Sequence, residues 1–204
     1  MTSNGSPDYK SPHHRHSSAF GALGALSMAV GRGSLARRVA KLAELTTDDQ
    51  VVDVGCGPGT AVRVAASRCA NATGVDPSPA MLRLGRWLNA LRGTRNVTLL
   101  QGSAEGIPLP DDAATVIWAL NSVHHWNDRS VGLAEALRVL APNGRLLLVE
   151  RLIEPGNHGG LTGNQVVELK TDVESMGFTI VRRESLRVGR RTFNVISASR
   201  ELVR

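Results

Sequence analysis

Aromatic residues are scarce: three Trp, three Phe and one Tyr make up 3% of 204 residues. The core must then be aliphatic, and an aromatic box around a quinone or a planar drug is hard to build. Cysteine is rarer still. Cys56 and Cys69 are the only two, and they form no Cys-x-x-Cys pair. That argues against a disulfide framework and fits a reducing cytoplasm, the expected location. No apolar run reaches the ~20 residues that a bilayer span needs. The weak signal-like stretch Ala19 to Val30 follows Lys10, His13, His14, Arg15 and His16, but Gly21, Gly24 and Ser27 dilute it. Residues 1–33 are therefore expected to form a flexible N-terminal segment or lid, and 34–204 a single domain.

Acidic residues are also in deficit. Eighteen Asp and Glu against 24 Lys and Arg leave a net charge of +6. Such a balance can favour nucleic acid, anionic lipid or an acidic substrate. The plainer reading is an arginine-rich enzyme with a basic surface, so nucleic acid is not the expected partner.

Glycine is what the chain places with purpose. Residues 51–60 read Val-Val-Asp-Val-Gly-Cys-Gly-Pro-Gly-Thr. An apolar run enters a turn with Gly55, Gly57 and Gly59 at alternate positions, and a helical pattern follows. Such a turn lets backbone approach a ligand that side chains would push away. A dinucleotide fingerprint would need its third glycine at position 60, which is Thr60. Asp76 closes the next apolar run, Thr73 to Val75, at a distance suited to gripping a ribose diol; the alternative is a cap on the next helix. Together these features suggest a nucleoside-containing cofactor.

Periodicity supplies the frame. Leu35, Val39 and Leu42 recur at helical spacing. Val62, Ala65, Ala66 and Cys69 predict one helix face. Met81, Leu84, Leu88 and Leu91 predict another, with Ser78 as its N-cap. Val97 to Leu100 reads as a third strand. Ala114 to Leu120 reads as a buried central one. Leu133, Leu137 and Leu140 mark a helix ended by Pro142, Asn143 and Gly144, before a strand over Leu146 to Val149. After a glycine-rich loop from Pro155 to Gly163, Val166, Leu169, Val173 and Met176 give the last helix. Phe178 to Val181 and Thr192 to Ala198 read as an antiparallel pair turning near Gly189, joined by arginine-rich sequence. The alternation argues for an α/β fold: an open, mostly parallel sheet with helices on both faces.

Four stretches now carry a resemblance: VVDVGCGPGT, GVDPSPAML, QGSAEGIPLPDDAATVIWALNSVHHW and LAEALRVLAPNGRLLLVE. In this order and spacing the chain resembles the class I S-adenosyl-L-methionine-dependent methyltransferases, in particular the methyltransferase-11-like small enzymes. The resemblance covers roughly residues 35–200. It implies a Rossmann-like sheet of order 3-2-1-4-5-7-6 and a methyltransferase domain over 34–204. The implied cofactor is S-adenosyl-L-methionine, leaving S-adenosyl-L-homocysteine as product. Asp53, Gly55, Gly57 and Gly59 would face its methionine part. Asp76 would take both ribose hydroxyls, with Pro77 and Met81 on the adenine. Ser103, Ala104 and Glu105 match the segment at the adenine edge, and Asn121 the position that meets the methionine amine. His124 and His125 match the histidine pair beside the transferred methyl.

Methyl transfer asks the protein to align an acceptor, exclude water and manage a proton. A histidine is suited to removing a hydroxyl proton near neutral pH. One of the pair is expected to act on substrate, with His124 favoured, and the other to be structural. An Asn/Asp-Pro-Pro-aromatic motif for amine methylation is missing, as is a Pro-Cys nucleophile for cytosine. O-methylation of a polar small molecule, a sugar or an oligosaccharide end is the expectation. The alternatives are an RNA methyltransferase using the basic C-terminal hairpin, or a non-catalytic cofactor-binding protein. No recognised metal motif exists. Glu150 and His158 are the candidates to join the histidine pair around a divalent cation such as Mg. Trp118 reads as core, Trp126 as a wall of the substrate site. A homodimer is left open.

Overall fold

The computed structural model describes residues 33–201. The expected lid, with the cluster of His13, His14, Arg15 and His16, lies outside the described residues but for residue 33.

The described chain opens in a helix over 33–42, α1. There follow β1 (Gln50–Val54), α2 (Thr60–Ala66), β2 (Asn71–Asp76), α3 (Pro79–Arg92), β3 (Val97–Gln101) and β4 (Ala114–Leu120). A single 3-10 turn (Val123–His125) leads to α4 (Arg129–Val139), β5 (Leu140–Arg151), α5 (Gly163–Ser175), β6 (Thr179–Val188) and β7 (Arg191–Ser199). The seven strands form one sheet in the order β3-β2-β1-β4-β5-β7-β6. The first five strands run parallel, and β7 is antiparallel to both β5 and β6. This is the Rossmann-like sheet expected.

Strand alternation divides the core between the two faces of the sheet. Val52, Ile117, Leu146, Leu148 and Ile196 pack with α4 and α5 residues such as Leu133, Val166 and Leu169. Val51, Val116, Trp118, Leu147 and Val195 pack with Leu35, Val39, Val62 and Leu82 on the other face. Trp118 is fully buried, as expected. A buried carboxylate pins the rim. Asp49 accepts from the Thr46 N–H, the Thr115 hydroxyl and Arg145. Among the described residues no helix is long and apolar enough to cross a membrane.

Three expectations need correction. The buried face of α3 is Leu82, Gly85 and Asn89, one residue round from Met81, Leu84, Leu88 and Leu91; Leu91 is exposed. The cause is close packing. A Cβ on Gly85 would lie 2.6 Å from Leu99 and 3.2 Å from the Pro58 carbonyl, so α3 lies almost backbone-on against the loop below it. Leu140 belongs to β5, where it pairs with Ala114, and the chain bulges before Arg145 pairs with Val116. The arginine-rich segment is no loop but part of β6, whose outer edge faces solvent and has no need of apolar residues.

Candidate active site

The site forms at the C-terminal ends of the parallel strands, where open α/β sheets take ligands. Leaving β1, the N–H groups of Gly55 and Cys56 both donate to the Val75 carbonyl, at 2.8 and 3.1 Å. Gly55, Gly57 and Gly59 have φ of 76°, 55° and 72°, a region that favours glycine. A Cβ on Gly55 would lie 2.5 Å from the Cβ of Ser122. Ser122 in turn donates its hydroxyl to the Val54 carbonyl at 2.7 Å, tying the end of β1 to the segment after β4.

Asp76, at the end of β2, is buried and uses both oxygens. Oδ2 accepts from Gly57 N–H at 2.7 Å and Oδ1 from Ser78 N–H at 2.9 Å. The helix cap is Ser78, whose hydroxyl accepts from Met81 N–H. Asp76 therefore braces the glycine turn rather than capping α3, and a carboxylate retains further lone pairs for a ligand.

These elements enclose a first cavity of about 350 Å³. Ten expected site residues line it: Gly55, Gly57, Asp76, Pro77, Met81, Ser103, Ala104, Glu105, Asn121 and His125. Three do not. Asp53 is buried within β1, Gly59 is the N-cap before α2, and His124 turns to a different cavity. Asn121 has φ 56°; its N–H donates to the Val149 carbonyl and its Oδ1 accepts from Arg151 N–H. Glu105 bridges two loops: its Oε1 accepts from Asn127 N–H at 2.7 Å and Asp128 N–H at 3.2 Å. Burial opposes its ionisation. Hydrogen bonds from its own N–H, the Ser103 hydroxyl and those two amides outweigh burial and hold its pKa below the ordinary 4.5.

The histidine pair divides. The two rings lie 4.0 Å apart, tilted by 44°. His125 lines the first cavity. His124 lines a second cavity of about 540 Å³, together with Arg129, Asn157, His158, Thr162 and Gln165. Trp126 and Asn127 line both. The Trp126 ring fits because position 132 is glycine: a Cβ there would lie 2.6 Å from it.

Behind His124 stands Glu150, 1% exposed at the end of β5. One of its oxygens lies 2.7 Å from His124 Nδ1; the other accepts from Val123 N–H, also at 2.7 Å. A carboxylate at Nδ1 assigns the proton there and leaves Nε2 as the basic nitrogen. Nε2 is buried without a protein partner.

A divalent cation at Glu150 and His158 finds no support. Glu150 faces His124 and the Val123 N–H, and no group of three or more His, Cys, Asp or Glu side chains gathers as a metal site among the described residues. Sequence reasoning also missed Ser122, Asn127 and Arg129. Their types carry no signal, because they act through position: Ser122 as a strut, the others as cavity wall.

A family model described as a methyltransferase domain matches residues 52–148. Residues 52–148 thus carry a methyltransferase domain similar to those of the class I S-adenosylmethionine-dependent family. Its relatives include an uncharacterised methyltransferase, YcgJ, of Bacillus subtilis (strain 168). That protein is 33% identical over 110 residues, 54% of this chain and 44% of the relative. The YcgJ crystal structure superposes with a TM-score of 0.68 at 17% identity, over 82% of this chain and 98% of that one. The 27-O-demethylrifamycin SV methyltransferase of Amycolatopsis mediterranei (strain S699) is 35% identical over 128 residues, 61% of this chain and 47% of the relative. The chain thus spans less than half the length of these two curated relatives. The fold is also shared with the putative methyltransferase in the solved complex with the Haloferax volcanii Trm112 methyltransferase activator. There the TM-score is 0.76 at 17% identity, over 91% of this chain and 96% of that one.

Proposed function

We propose that this protein is an S-adenosylmethionine-dependent O-methyltransferase acting on a hydroxyl of a polar small molecule, a sugar or an oligosaccharide end. The observation that carries the reading is the pair of adjoining cavities, with His124 on the wall of the second and Glu150 buried behind it. The names of two relatives point to oxygen as acceptor: the rifamycin enzyme, and a probable tocopherol O-methyltransferase of rice, 34% identical over 110 residues.

The first cavity has the chemistry to hold the cofactor. Gly55 and Gly57 bring backbone close, Asp76 offers carboxylate lone pairs, and Pro77 and Met81 form an apolar wall. When bound, S-adenosylmethionine supplies an electrophilic methyl group carried on a sulfonium. The remaining tasks fall to the protein. Trp126 and Asn127, shared by the two cavities, position the acceptor and exclude water. His124 Nε2 takes the hydroxyl proton as transfer proceeds. Glu150 is a positioning residue: it fixes the ring and its tautomer, and stabilises the imidazolium that forms.

Calorimetry with S-adenosylhomocysteine, followed by turnover on a panel of hydroxylated metabolites and on total RNA, tests this reading against the RNA and non-catalytic alternatives. His124→Ala is expected to lower turnover by ~10²–10⁴-fold with cofactor affinity retained. Glu150→Gln should lower kcat and shift its pH profile. Full activity in both variants would remove the general base.

A further inference from the structure

The second cavity has a chemical bias of its own. Its lining contains no aspartate or glutamate. The cationic or titratable groups on it are Arg129, His124 and His158. One wall is the start of α5, a 13-residue helix capped by Thr162, whose hydroxyl accepts from Gln165 N–H. The N–H groups of Gly163 and Asn164, between the two lining residues Thr162 and Gln165, have no acceptor inside the helix and carry partial positive charge. Arg129 gives its Nε to Asp172 at 2.8 Å, from outside the lining. A guanidinium has five N–H donors, so this pairing leaves others for a second anion.

A helix start and an arginine would not by themselves make a site. The independent observation is His124. The residue lines this same cavity, its side chain is only 10% exposed, Glu150 occupies Nδ1, and Nε2 is a buried nitrogen without a protein partner. An acceptor nitrogen so placed calls for a donor from the occupant, and a hydroxyl is the simplest.

We propose that the second cavity takes a hydroxylated anion. The hydroxyl donates to His124 Nε2, and a carboxylate or phosphate on the same molecule lies against the α5 N-terminus, Arg129 and His158. The hydroxyl half rests on the methyl-transfer reading above; the anion half stands without it. It narrows the acceptor from any polar alcohol to hydroxy acids and hydroxylated phosphate esters. A neutral sugar leaves the positive wall of the cavity unanswered.

The test is a set of matched pairs titrated into the full chain by calorimetry, with and without saturating S-adenosylhomocysteine. The pairs are glycolate with glycolamide, para-hydroxybenzoate with para-hydroxybenzamide, and glycerol phosphate with glycerol. The first two test a carboxylate and the third a phosphate. At least one anion should bind about tenfold more tightly than its neutral partner, the scale of one charge-assisted contact. That preference should fall toward parity in His158→Gln and in Arg129→Gln. His158 is exposed, so its replacement leaves folding intact. Parity in all pairs, a preference for the neutral member, no anion binding, or a preference that survives both substitutions would overturn the proposal. Anion preference without S-adenosylhomocysteine binding would sink the cofactor reading, and the hydroxyl half with it, and leave the anion half standing. The converse result would sink only this one.

Discussion

Asp76 accepts from Gly57 N–H on one carboxylate oxygen and from Ser78 N–H on the other. The residue that the sequence marks for a ribose thus also fixes the shape of the glycine turn. Removing it strands two backbone donors, one of them, Gly57, at the cavity wall. Asp76→Ala is expected to weaken S-adenosylhomocysteine affinity by about 1–3 kcal/mol, the cost of buried hydrogen-bonding groups left unpaired, and to lower the melting temperature as well. Calorimetry and thermal melting read the two effects separately; unchanged values in both would contradict the bracing role. At this scale the sequence is informative where chemistry demands one residue type. Glycine at positive φ and a carboxylate after β2 are visible because no other side chain serves there. Ser122 and Asn127 are not visible, since what matters is where the fold brings them. The division of His124 from His125 is likewise hidden. It depends on Glu150, which lies 26 residues away from His124 in the chain.

At the scale of elements, the central strands are legible. β1 and β4 lie between two helical layers and so read as apolar runs. The face of α3 is not legible from apolar spacing. Gly85 holds a core position by lacking a side chain, and Asn89 holds another by accepting from Arg63, which also donates to the Pro58 carbonyl. No hydrophobic count finds a glycine or a buried amide. The exposed edge of β6 is hidden for the opposite reason, because nothing there is required to be apolar. Helix α5 begins with a full capping box: Thr162 and Gln165 each bond the other's backbone N–H. Thr162→Ala should cost about 0.5–2 kcal/mol of stability, measured by urea unfolding. It should also weaken whatever binds the second cavity, since Thr162 and Gln165 line it.

Across the whole molecule, acid sensitivity has a definite sign. Burial raises the Asp49 pKa, but the bonds from Thr115, the Thr46 N–H and Arg145 together outweigh it and hold the value below the ordinary 3.8. Glu135 is lowered mainly by Arg138, and Glu105 by the hydrogen bonds described above. A carboxylate whose folded pKa is depressed stabilises the fold at pH above its unfolded value. That contribution is lost as pH falls through the folded value. Stability should therefore decline below about pH 4. Asp49→Asn should lower stability at neutral pH by about 1.5–3 kcal/mol and flatten that acid limb, as read by denaturant unfolding at a series of pH values. An unchanged slope would assign the acid sensitivity to other groups. The three tryptophans also differ at this scale. Trp118 is sealed in the core, Trp87 faces water, and Trp126 stands where the two cavities meet. Filling either chamber alters the surroundings of that one indole while the other two stay as they were. Its emission is thus a built-in optical gauge, able to report on both compartments without any attached dye.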